Sequence, residues 1–115
     1  MKNQEMAGRH PLFDGTNFGF WKKIMSYYLM SLRHEIWNIV LNGYNAPPIF
    51  PTNQDERKAY ITNAKALNSI TSGIIDSEFT KVLNSDSAKE LWDKLVSLYD
   101  GDYKFKKEKL QTHRR

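Results

Sequence analysis

Residues 87–101, "SAKELWDKLVSLYDG", decide the fold class. Ala88, Leu91, Trp92, Leu95, Leu98 and Tyr99 recur at intervals that put them on one face of an α-helix. Ser87 and Glu90 stand at capping-box spacing, which places the helix start. Towards the N-terminus the same period recurs with less force. A short helix is predicted from Asp76 to about Leu83, burying Phe79 and Val82. Before it, Asn53 or Asp55 can cap a helix with an inner face of Tyr60, Ala64, Leu67 and Ile70, running as far as Ser72 ahead of Gly73.

Tyr44 to Thr52 carries three prolines, which remove backbone donors and restrict the residues before them, so a loop is predicted there. Ile36, Trp37, Val40 and Leu41 form a second stripe that stops at Asn42-Gly43, a pair that tolerates left-handed backbone. Asn17 is predicted to cap the first helix, on which Trp21, Met25, Tyr28 and Leu32 recur to about Leu32. No stretch alternates with a period of two, and Asn42-Gly43 leads into prolines rather than into a second strand. The expectation is all-α: a compact bundle of about five helices, with the start of a further basic helix at the C-terminus.

A chain of 115 residues is the size of one domain and can bury a core without staples. It has no cysteine, so disulfides and thiolate zinc sites are excluded and an intracellular, cytoplasmic setting is expected. Its first ten residues, "MKNQEMAGRH", lack an apolar signal core, and no apolar run approaches a membrane span. The net charge of +4 is uneven: Lys104, Lys106, Lys107, Lys109, Arg114 and Arg115 against Glu108 give residues 104–115 a charge of +5 and leave −1 for the rest. The basic character therefore belongs to the tail. The expected organisation is a flexible segment 1–11, a helical lobe 12–103 and a basic segment 104–115.

Four blocks in order, "FDGTNFGFW", "WNIVLNG", "AKELWDKLVSLYDG" and "KLQTHRR", resemble the N-terminal, capsid-like part of the Gag polypeptide of copia-type LTR retrotransposons. The resemblance runs from about Leu12 to the end and implies an all-α lobe that helps to package element RNA. The family pattern continues into a longer helix, a second lobe and often a Cys/His zinc knuckle. With no cysteine here, knuckle-type RNA recognition is not carried over.

Between Phe13 and Leu32 the aromatic density allows a ligand cage, a stacking platform or a core. Trp21, Tyr28, Trp37, Trp92 and Tyr99 share helical spacing with aliphatics, so the core reading is preferred, and the predicted core set is Trp21, Met25, Tyr28, Trp37, Leu91, Trp92, Leu95 and Tyr99. Phe18 and Phe20 cannot both point inward with Trp21, so one is expected to be exposed. Only Lys22 and Lys23 adjoin the cluster, too few for a single-strand stacking groove.

Catalytic patterns are weak. "DGT" at Asp14–Thr16 has the wrong order for an aspartic protease and reads as a turn, and His10, His34 and His113 are scattered. No enzyme, cofactor or metal is expected. The tail cations Lys104, Lys106, Lys107, Lys109, Arg114 and Arg115 are read first as a solvated helix start and second as sequence-independent contacts to RNA phosphates. The expected function is self-association of a Gag-like lobe by weak repeated contacts. The alternatives are a domesticated adaptor taking a peptide between the Trp21 and Trp92 helices, or a nucleic-acid module resting on the tail alone.

Overall fold

The computed structural model describes residues 11–45 and 49–100. Among these residues five α-helices follow one another: α1 Phe18–Leu32, α2 His34–Asn42, α3 Gln54–Thr71, α4 Asp76–Phe79 and α5 Ala88–Tyr99, with a 3-10 turn, Thr80–Val82, continuing α4. The described residues contain no β-strand, and the all-α expectation holds. The proline loop falls partly on residues 46–48, and the basic segment 104–115 wholly, outside the described residues.

The helix boundaries follow local chemistry. α2 ends where Gly43 takes φ 93°, a left-handed angle that glycine adopts without a side-chain clash, and its amide donates to the Ile39 carbonyl. Asn53 caps α3 by accepting the Glu56 amide at 2.8 Å. α1 departs from expectation. Asn17 precedes it in left-handed backbone (φ 58°, ψ 46°), not the extended conformation from which a side chain reaches a first-turn amide, and it makes no side-chain cap. The turn is organised by Asp14 instead, whose carboxylate accepts from both the amide and the hydroxyl of Thr16, at 3.1 and 2.7 Å.

The buried faces also correct the sequence reading in detail. On α1 the core stripe is Phe18, Trp21, Met25 and Leu29, whereas Leu32, in the last turn before extended Arg33, is exposed. On α2 the buried residues are Ile36, Ile39 and Val40. Leu41, about 100° further round the helix, points to solvent. On α3 the inner face is Asn63, Ala66, Ser69 and Ile70, with Leu67 at its margin, so Tyr60 and Ala64 lie outside it. On α5, Ala88, Leu91, Trp92 and Leu95 are buried while Leu98 is exposed near the helix end.

A long-range clasp closes the lobe. Phe13 forms a parallel β-bridge with Ile74: its amide donates to the Gly73 carbonyl at 2.7 Å, and its own carbonyl accepts from Ile75 at 3.1 Å. The Trp21 indole N–H is shared between the carbonyls of Gly73 (3.1 Å) and Pro11 (3.2 Å). A Cβ on Gly73 would run into Met25 Cε and come within 2.7 Å of the Pro11 carbonyl, so glycine is required there for close approach.

Candidate association surfaces of the lobe

Aromatic rings fix the relative placement of the helices. Trp21 of α1 and Trp92 of α5 lie 5.7 Å apart between ring centroids, and Trp37 of α2 meets Trp92 edge-on at 5.7 Å. Phe13 packs on Phe18, Trp21 and Tyr99 at 5.0–5.4 Å. Offset and edge-on pairs of this kind add about 0.5–1.5 kcal/mol each beyond area burial. Of the predicted core set, Trp21, Met25, Leu91, Trp92 and Leu95 are buried, and Tyr28, Trp37 and Tyr99 are partly buried against them. Trp21 and Trp92 meet at the place where the adaptor reading puts a bound peptide. Phe18 is buried and Phe20 exposed.

Two polar arrangements had no signal in the apolar periodicity. Asn63, on the buried face of α3, accepts the Ala88 amide at 3.0 Å and so satisfies the first helical amide of α5 from another helix. Ser87 accepts the Glu90 amide at 3.2 Å, and Glu90 reaches back to accept the Asp86 amide at 3.0 Å, one residue beyond the reciprocal capping-box bond. That amide, with Lys94 as a lesser cause, holds the Glu90 carboxyl below its ordinary value. At the other end of α5, the Tyr99 hydroxyl donates to buried Glu78, and Lys81 bonds both the other Glu78 oxygen (3.3 Å) and the Tyr99 oxygen (2.8 Å). Those contacts, Tyr99 first, raise the Lys81 ammonium above its ordinary value. Asp100 then pairs with Lys22 of α1 at 2.7 Å. The end of α5 is therefore tied to both α4 and α1.

Outside the core, three of the surfaces open among the described residues stand out. An open polar groove of about 520 Å³ runs between residues 42–45 and the outer side of α5, but its charges are already matched in the pairs Lys89–Asp93 (2.6 Å) and Glu90–Lys94 (3.3 Å). An apolar corner exposes Ile49 and Phe50, with the Phe50 ring 5.0 Å from that of Tyr60 and the Arg57 guanidinium over Phe50. The third is the outward face of α1, bearing Phe20, Ile24, Tyr27 and Met30. Among the described residues no group of His, Asp or Glu side chains is placed to hold a metal, and no helix is long and apolar enough to cross a membrane.

The family model for the gag-polypeptide of LTR copia-type matches residues 25–114. The chain belongs to this family. The match begins inside α1 at Met25 and runs through α5, so the Phe13–Ile74 clasp ties a segment ahead of the match to its interior. The family is one of structural Gag polypeptides. Neither the curated proteins nor the solved structures compared with the chain gave a match.

Proposed function

We propose that this chain is a capsid-like Gag lobe that self-associates in the cytoplasm through weak, repeated contacts and helps to package retrotransposon RNA. The observation that carries it is the Gag family match over most of the chain. The charge balance supports it: residues 11–100 hold nine Lys and Arg against ten Asp and Glu, so copies do not repel strongly, and cations for RNA are concentrated in residues 104–115. Many weak contacts act together once copies are held on one RNA or in one particle. Sedimentation and light scattering of the 115-residue chain over a wide concentration range should give a mass that rises reversibly with concentration. A strict monomer up to about 1 mM, where even weak association registers, overturns the reading.

A further inference from the structure

We infer that the outward face of α1 is the surface through which two copies of this chain pair, an inference that rests on the self-association proposed above. Phe20, Ile24 and Tyr27 stand at i, i+4 and i+7, so they form one ridge along α1 on the side opposite Phe18, Met25 and Leu29. Phe20 is 65 % exposed, Tyr27 56 % and Met30, at the margin, 44 %, while Ile24 between them is half-buried. A helix with apolar stripes on two opposite sides has more apolar surface than its own core uses.

The other open surfaces differ in kind. The groove beside α5 has its charges paired, and the Ile49–Phe50 corner, 74 % and 59 % exposed, lies on a loop rather than along one helix face. The α1 ridge has one cation at its edge, Lys23, lying 5.9 Å from the Tyr27 ring centre. α1 holds no acidic residue, so the ridge offers no anionic docking charge for a basic partner. Its second cation, Lys22, is engaged by Asp100, which leaves little for an acidic partner to grip. A second, identical ridge is the fitting occupant. In an antiparallel two-fold pairing centred near Ile24, Phe20 of each copy meets Tyr27 of the other, giving two aromatic pairs from one self-complementary stripe.

The area sets the strength. With roughly 200 Å² per aromatic side chain, the exposed fractions amount to on the order of 300 Å² of apolar surface per copy. A standard stable interface takes about 800 Å² from each partner. The pairing is therefore transient when two copies meet alone, as a contact repeated many times in an assembly must be if the assembly is to correct itself and come apart.

The test uses the full 115-residue chain and its Phe20→Asp/Tyr27→Asp variant, compared by sedimentation over a concentration series, with thermal melts as the control for folding. The expected result is association weakened by about tenfold or more in the variant, since each buried aromatic contributes a comparable factor, with an unchanged melt. Wild type and variant associating equally would refute this surface and leave the proposed function standing. A wild-type chain that stays monomeric would refute both. Because the chain has no cysteine, a nitroxide on Gly19→Cys, where an added Cβ meets nothing within 4 Å, gives a readout that needs no destabilising change. Mixed with isotope-labelled copies, it should broaden amides of residues 24–31 in the other copy. Broadening confined to other elements, or none, would overturn the pairing.

Discussion

Asn63→Ala tests whether a helix end can be held from outside its own sequence. In the folded lobe the Ala88 amide points at Asn63 Oδ1 3.0 Å away, and Asn63 is only 6 % exposed. Removing the carboxamide leaves a buried donor without an acceptor, which costs about 1–3 kcal/mol, and the lost side-chain volume adds to this. A total near 2–3 kcal/mol is expected. For a domain of this size each kcal/mol moves the midpoint by about 4–8 °C, so the melt should fall by at least ~8 °C. Amide exchange locates the effect. Protection at Ala88 should drop by more than the global loss of stability explains, whereas amides of the α1 core should follow the global change alone. Ser87→Ala is the comparison, removing a different bond from the same first turn, at about 1 kcal/mol. A change below about 0.5 kcal/mol for Asn63→Ala, with Ala88 exchange unaltered, would show that water replaces the carboxamide and refute the reasoning.

Trp21→Ala and Trp92→Ala should each destabilise the lobe by on the order of 3–5 kcal/mol in denaturant melts, since each indole is buried in the ring cluster. Losses under about 1 kcal/mol at both sites would contradict that packing. Because the folded lobe holds the Glu90 carboxyl below its ordinary 4.5, Glu90 stabilises the fold above that pH and the contribution is lost as pH falls through its lowered value. Glu90→Gln should therefore flatten the acid limb of a urea-midpoint profile, and an unchanged limb would rule this out. RNA affinity should fall with salt at a log–log slope no steeper than about −4 and vanish when residues 104–115 are deleted; filter binding at several salt concentrations would reveal a second site if binding survives the deletion.

Helix positions were legible where a local signal acts alone. Ser87 caps α5, Asn53 caps α3 and Gly43 ends α2 because each works through bonds to residues within four positions. The facing of α3 was not legible, and the reason is physical. Asn63 and Ser69 are polar yet buried, so a rule that sends polar residues outward rotates the helix towards Tyr60 and Ala64. Only the distant Ala88 amide makes Asn63 acceptable inside, and no local pattern encodes a partner 25 residues away. Glu78 is the same case, buried against Tyr99 and Lys81 although it reads as a solvated first-turn acid. Asn17 failed as a cap because Gly15 and Asn17 both take positive φ in a turn governed by Asp14. Of the candidate surfaces, the sequence indicated that one of Phe18 and Phe20 must face outward. That Phe20 continues into a ridge with Ile24 and Tyr27 was hidden, since one helix cannot reveal from its own pattern which of two apolar sides the rest of the chain covers.

The clasp at Gly73 bears on the lifetime of the folded lobe. The Trp21 indole and the Gly73 carbonyl are 52 residues apart, so their contact closes a loop that spans α2 and α3 and carries the entropy cost of that closure. A contact formed after the folding transition state slows opening and leaves refolding almost untouched, so the refolding and unfolding rates of Trp21→Phe tell when the clasp closes. Substitutions that crowd Gly73 press on Met25 and on the Pro11 carbonyl at once, so the closure of the lobe rests on a single residue with no side chain.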